Sequence, residues 1–262
     1  MQVTTPMPAH RLRHSAPVLS ALRTSITKAG TFVGGLGIFL VAGIVVAGIA
    51  TWVFGEFAET VMAGKTQAFD EAVLRWMGAH HTKLLDAAML EVTALGTSAV
   101  VLMIVCIAAL FLSLTQHRYS ALLLLVASTG GIALDLFLKY FFDRPRPHVF
   151  VWGTTVTNSS FPSGHAMSAT IVYSTVAYLA ARLYKHAWQR WITLLIAAIV
   201  IVLIAMSRLY LGVHYPSDVL AGAIIGLGWA AFCMATLEAI QKFAQRNADE
   251  VPRNQEPEPV DL

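Results

Sequence analysis

The chain has 262 residues, of which 56% are hydrophobic and only 13% charged, and its formal net charge is +3. A mean hydropathy of +0.64 exceeds what a soluble domain needs for its core, which excludes an ordinary water-soluble fold and leaves a multi-span membrane protein. The expected fold class is all-α: a six-span transmembrane helical bundle with an amphipathic, outer-facing segment between the first and second spans.

Residues 1–29 form a polar, basic N-terminal tail with no short apolar core or cleavage site of its own, so the first span is expected to act as an uncleaved signal anchor. Crossing about 30 Å of hydrocarbon takes roughly 20 helical residues. Runs of that kind lie at Gly30 to Phe54, Val92 to Leu114, Ser120 to Phe142, Ser163 to Tyr184, Trp191 to Leu211 and Asp218 to Ile240. These runs are apolar throughout rather than alternating, which argues against a β-barrel. Small residues within them, such as Gly34-Gly35, Ser128-Thr129-Gly130-Gly131 and Ala221-Gly222-Ala223, suit close helix packing in lipid.

Between the first two spans, Glu56 to Glu91 is the largest polar-facing piece, and Phe69, Val73, Trp76 and Met77 recur in it at helical spacing. It reads as an interfacial amphipathic helix, either a lip that admits lipid or a simple covering for the bundle. His80, His81 and Asp86 in this segment read as solvated side chains rather than a metal site. The membrane-spanning core is expected to cover residues 30–240, and residues 241–262 are expected to form a C-terminal tail, disordered from Asn247, with Pro252, Pro257 and Pro259 among several acids. Cys106 and Cys233 lie within apolar spans and behave as small hydrophobes.

Basic residues gather on the cytoplasmic side of membrane proteins. Arg11, Arg13, Arg23 and Lys28, then Arg118, then Arg182, Lys185 and Arg190, then Lys242 and Arg246 all fall on one side of a six-span chain. Both termini are therefore expected in the cytoplasm. Of the basic residues on the opposite side, Arg144, Arg146 and Arg208 lie in or beside three polar clusters, where a chemical need for cations overrides the statistics.

Those clusters are Lys139-x6-Arg146-Pro147, Pro162-Ser163-Gly164-His165 and Ser207-Arg208-x5-His214-x3-Asp218, each at the end of an apolar run. Charge in such places is costly unless paired, hydrated or used to bind something. Lys139, Arg146 and Arg208 supply positive charge for a phosphoryl group, whose transfer is catalysed mainly by positioning and electrostatics. Ser163 and Gly164 open a helix, where free backbone amides make an anion site and glycine lets the backbone approach closely. His165 in the first turn is placed to protonate a leaving oxygen. Asp218, four residues after His214, can fix one tautomer of that imidazole and leave its other nitrogen free to attack phosphorus, giving a phosphohistidine that water then hydrolyses.

The three clusters together resemble the signature of the type 2 phosphatidic acid phosphatase family, K-x6-R-P, P-S-G-H and S-R-x5-H-x3-D, with every specified position filled. The resemblance implies a six-span helical fold and metal-independent hydrolysis of lipid phosphates. It implies that Lys139, Arg146, Ser163, Gly164 and Arg208 bind phosphate, that His165 is the general acid, that His214 is the nucleophile and that Asp218 orients it. No cofactor, metal or nucleic-acid partner is implied; the partner is a membrane lipid phosphate. Undecaprenyl pyrophosphate heads the expected substrates, ahead of phosphatidylglycerol phosphate, phosphatidic acid and lipid A. Transfer of the phosphoryl group to another lipid, or binding of a head group by a non-catalytic transporter, are the alternatives. Vanadium haloperoxidases resemble the family in their anion pocket but are soluble, and the hydropathy argues against them. The active site is expected on the outward or periplasmic side.

Overall fold

A computed structural model describes residues 16–150 and 159–249. Among the described residues the chain forms eight helices and no strand, in the order α1 (Ala16–Met62), α2 (Gln67–Ala79), α3 (Lys83–Ala94), α4 (Ser98–Leu114), α5 (Arg118–Phe141), α6 (Gly164–Ala181), α7 (Ala187–Tyr210) and α8 (Pro216–Asp249). Residues 247–249, expected to open a disordered tail, instead close α8; the rest of that tail lies outside the described residues, as do the first 15 positions of the N-terminal tail.

Four helices are long and apolar enough to cross a membrane, within Gly37–Met62, Arg118–Phe141, Ala187–Tyr210 and Pro216–Gln245, and a fifth crossing arises if α3 and α4, bent by 48° at their junction, count as one span. The expected sixth, α6, is long enough but falls below that standard of apolarity because it carries His165, Ser168, Thr170, Tyr173, Ser174 and Thr175. The physical reason is its location. α6 packs against α4, α5, α7 and α8 and buries ten of its 18 residues, so its neighbours rather than lipid solvate most of it.

Small residues let the other helices close around it. α1 lies along α8, with Gly43 against Ala235 and Gly228 against Ala50. Trp229 of α8 lies over Gly130 of α5 and donates its indole N–H to the Ala127 carbonyl at 2.9 Å. Near the polar end, Phe54, Phe142 and Phe161 form an aromatic cluster with ring centroids 5.2 to 5.9 Å apart. α5 ends where Asp143-Arg144-Pro145-Arg146-Pro147 begins, since each proline disfavours helical backbone in the residue before it. Pro216 opens α8, where its missing N–H costs nothing.

The segment expected as one amphipathic helix is instead the end of α1, the whole of α2 and most of α3. Its apolar residues divide: Met77 is buried, whereas Phe69 and Trp76 are exposed. The inward stripe of α2 is Asp70, Leu74 and Met77, one residue out of phase with the expected one. α2 and α3 cap the same end of the bundle where α5 and α7 finish and α6 and α8 begin, contacting α7 and α8.

Candidate active site

At that end a cavity of about 290 Å³ opens between α4, α5, α6 and α7. Its polar wall carries Lys139, Arg146, Gly164, His165, Arg208 and His214, six of the eight residues singled out from sequence. Its apolar wall runs between α4, α5 and α6, with Val101, Val105, Ile132 and Leu136 among its side chains. The remaining two, Ser163 and Asp218, are fully buried behind the wall.

Each polar side chain is set by the element that carries it. Lys139, in the last turn of α5, donates to Asp135 one turn earlier at 2.8 Å. Gly164 makes room for this pair: a Cβ there would lie 2.6 Å from the Lys139 ammonium and 3.0 Å from the Asp135 carboxylate. Ser163 is the N-cap of α6, its hydroxyl accepting from the Ala166 N–H at 3.5 Å. Its own N–H donates to the Asp218 carbonyl at 3.0 Å, tying the start of α6 to the start of α8.

Arg208, in the last turn of α7, is 8% exposed and donates from Nη1 to the Thr93 hydroxyl of α3 at 2.6 Å. Its Nε is buried and has no hydrogen-bond partner among the described residues. An unmet buried donor costs on the order of 1–3 kcal/mol, so a guanidinium left this way in a cavity wall is a standing donor for an anion. Arg146 reaches across from the α5–α6 connection, donating from Nη1 to the Val213 carbonyl at 2.9 Å and facing His214 Nε2 at 3.4 Å. Burial lowers the Arg146 guanidinium below its ordinary value, while Asp218 pulls the other way.

His214 sits in the turn between α7 and α8 with only 2% of its surface exposed. Its Nδ1 lies 2.8 Å from the Ser160 carbonyl, which can only accept, so Nδ1 carries the proton and Nε2 presents its lone pair to the cavity. The acceptor that fixes the tautomer is therefore a backbone carbonyl. Asp218 Oδ2, at 3.6 Å from Nδ1, is a neighbouring charge beyond hydrogen-bond range. Burial brings the imidazole down to about 4, against the upward pull of Asp218, so the ring is neutral at physiological pH.

Sequence reasoning gave no site role to four contributors. The Ser160 carbonyl is invisible to residue type. Thr93 carries no pattern that links it to Arg208. Arg144 and Asp70 join Asp218 and Ser217 in a buried network behind His214, with Arg144 Nη1 2.5 Å from Asp218 Oδ1 and Nη2 3.0 Å from Asp70 Oδ2. Two signals could have found them: Arg144 stands two residues before the motif arginine, and Asp70 is an acid in register with Leu74 and Met77. His81 and Asp86, weighed for metal, serve packing, since Asp86 accepts from the Tyr210 hydroxyl at 2.6 Å and His81 lies against the Tyr210 ring.

The profile of the PAP2 superfamily matches residues 118–242, which include every motif residue. Phosphatidylglycerophosphatase B of Bacillus subtilis is 31% identical over 193 residues, covering 72% of this chain and 93% of that protein. An undecaprenyl-diphosphatase of Sulfolobus acidocaldarius is 34% identical over 138 residues, covering 51% of this chain and 62% of its own. Among solved structures, the transmembrane PAP2-type phosphatidylglycerolphosphate phosphatase from Bacillus subtilis superposes with a TM-score of 0.67 at 27% identity, covering 80% of this chain and 98% of that one.

Proposed function

The chain belongs to the PAP2 superfamily, and on that premise we propose that it hydrolyses a phosphate group from a membrane lipid through a covalent phosphohistidine on His214. One observation carries the reading: Arg146 Nη1 stands 3.4 Å from the free Nε2 of His214 at the polar end of a cavity whose other wall is apolar. A phosphoryl group bonded to Nε2 would put an equatorial oxygen where that guanidinium can hold it, and Arg208 Nε and the Lys139 ammonium complete the cradle. Gly164 keeps the opening of α6 close to the same oxygens, while Ser163 acts through its cap.

In the first step the Nε2 lone pair forms an N–P bond as the bond from phosphorus to the leaving oxygen breaks, and His165 gives that oxygen a proton. In the second, His165 takes a proton from water, the water oxygen attacks phosphorus, and the N–P bond breaks to release inorganic phosphate. Throughout, the Ser160 carbonyl keeps the Nδ1 proton in place, and Asp218 offsets the positive charge that the ring gains on phosphorylation. The apolar wall between α4, α5 and α6 receives the lipid chain.

Phosphatidylglycerol phosphate and undecaprenyl diphosphate are the two leading substrates, because relatives named for them match 72% and 51% of this chain. Phosphatidic acid, lipid A and transfer to a second lipid are the further arms of the test. We place the domain at residues 30–240 with six spans, α6 and the bent α3–α4 pair among them, both termini cytoplasmic and the site outward; reporter fusions to the two termini check that orientation. The deciding experiment measures phosphate release from a detergent-solubilised panel of these lipids, with acid-labile phosphoprotein trapped by rapid quench. Turnover and trapping are expected to vanish in His214→Ala. A variant that turns over like the parent overturns the mechanism.

A further inference from the structure

Arg144 lies beside the motif arginine, yet its side chain turns away from the cavity and is 7% exposed. Its two terminal nitrogens are fully used. Nη1 donates to Asp218 Oδ1 at 2.5 Å and to the Ser217 hydroxyl at 2.8 Å; Nη2 donates to Asp70 Oδ2 at 3.0 Å and to Gln67 Oε1 at 3.3 Å. The guanidinium also sits 4.2 Å over the ring of Tyr215. Asp70, in the first turn of α2, has no exposed surface and accepts from the Ser217 N–H at 3.0 Å, the Ser217 hydroxyl at 2.5 Å and the Thr66 hydroxyl at 2.9 Å. Asp218, equally buried, accepts from the Tyr215 N–H at 2.9 Å through the oxygen nearest His214.

Two carboxylates and one guanidinium are thus out of water behind the nucleophile, with a net charge of −1. Removing such ions from water costs several kcal/mol each, and a packed apolar replacement is often as stable. Docking of α2 does not need them, because Leu74 and Met77 already bury an apolar face on the same side. What the charges do that apolar residues could not is hold positions 215, 217 and 218, all within four residues of His214, to fixed points on α2. From the cavity side His214 faces Arg146 and Arg208, with His165 on α6 nearby, so among the described residues negative charge reaches the ring from Asp218 and the groups behind it.

We propose that Asp70 and Arg144 are positioning residues for the reaction: a charged strut from α2 through Arg144 to Asp218 that sets the turn carrying His214 and the negative charge that favours its phosphorylated form. The inference rests on the phosphohistidine reading for its kinetic consequences, and it makes α2, which lies outside all three motifs, part of the catalytic apparatus. Asp70→Asn keeps the shape and removes one charge. A misplacement of about 1 Å can cost about 100-fold in rate, so kcat should fall about 10- to 100-fold while KM and inhibition by vanadate, which report the intact cradle, stay within about twofold. Arg144→Lys, which keeps the charge and loses the fork, should behave alike.

A readout without substrate separates this proposal from the function itself: the rate at which diethyl pyrocarbonate modifies His214 across pH, followed by mass spectrometry. It should fall in Asp70→Asn and Arg144→Lys, because the ring loses its setting in both and, in Asp70→Asn, part of the negative charge behind Asp218 as well. If either variant fails to fold, Ser217→Ala, which removes the hydroxyl shared by Asp70 and Arg144, is read the same way. Slower modification in these variants than in a parent that itself hydrolyses no lipid phosphate would overturn the proposed function and leave the strut standing. Parent-like modification and kcat in the folded variants would overturn the strut alone, as would a loss of kcat matched by equal losses of vanadate affinity and thermal midpoint.

Discussion

Gly222, on the second turn of α8, faces the backbone of the loop that opens α6. A Cβ at this position would lie 2.6 Å from the Ser163 carbonyl oxygen and 3.3 Å from the Met167 nitrogen. Both obstacles are main chain, so no side chain can swing aside. Ordinary contact begins at 3.4 Å, which means that Gly222→Ala must drive the two helices apart by about 0.8 Å at the turn holding Gly164 and His165. The same junction contains the hydrogen bond from Ser163 N–H to the Asp218 carbonyl, and the displacement opens it. Overpacking of this kind costs typically 1–3 kcal/mol. The kinetic effect should be larger than the loss of stability suggests: a shift of nearly 1 Å between the acid on α6 and the nucleophile before α8 corresponds to a fall in kcat on the order of 100-fold. The assay is kcat for phosphate release from a detergent-solubilised lipid phosphate, beside a thermal midpoint in the same detergent. Parent-like kcat in Gly222→Ala would refute the reasoning, since the two halves of the site would then tolerate a relative shift that the mechanism forbids.

Because burial holds His214 down to about 4, its neutral form persists well below the ordinary histidine range, and the acid limb of kcat/KM should lie near pH 4; a limb near 6.5 would contradict the buried, carbonyl-bonded geometry. The same shift makes the unfolded chain bind more protons below pH 6.5, so the histidine's contribution to stability is whole above that value and declines between about pH 6.5 and 4, which thermal midpoints across that range would show. Thr93→Val removes the acceptor of Arg208 Nη1 and should raise KM about tenfold, the equivalent of 1.4 kcal/mol, with little change in thermal midpoint. Histidine chemistry calls for no metal, so turnover should survive excess chelator and be suppressed by vanadate; loss of activity restored by a divalent cation would refute that.

The residues proposed to meet phosphate were legible because their chemistry is local. Lys139, Arg146, Gly164, His165, Arg208 and His214 are polar types at the ends of apolar runs, and the helices bring all six to one cavity wall. The spans were legible for the same reason, with α5 and α7 beginning and ending within four residues of the expected limits. α4 differs because Leu95-Gly96-Thr97 breaks the second run and bends it by 48°, a tertiary choice that hydropathy averages away. α6 differs because a helix wrapped by four others is freed from the apolarity demanded of one facing lipid. On α2 an apolar stripe at helical spacing was present, but the face that docks is the one carrying Asp70, whose partner is 74 residues away. Periodicity can find an amphipathic helix, yet it cannot tell which face turns inward when the bundle supplies an arginine to meet a carboxylate.

Arg144 and Arg146 make the same point within three residues. Both are guanidinium groups in the proline-interrupted connection that follows α5, two residues apart. They do not share a task, because their partners differ. Arg144 meets two carboxylates and has its terminal nitrogens satisfied by protein, so adding a phosphate oxygen would gain little. Arg146 donates to the Val213 and Ser159 carbonyls and faces the His214 imidazole from the cavity wall, where a phosphoryl group bonded to that ring would meet it. Exchanging the two environments by charge, for instance by removing Asp70, therefore changes what Arg144 holds without changing what Arg146 can bind. That asymmetry is why a kcat effect at unaltered KM, rather than a loss of binding, is the signature expected of the strut.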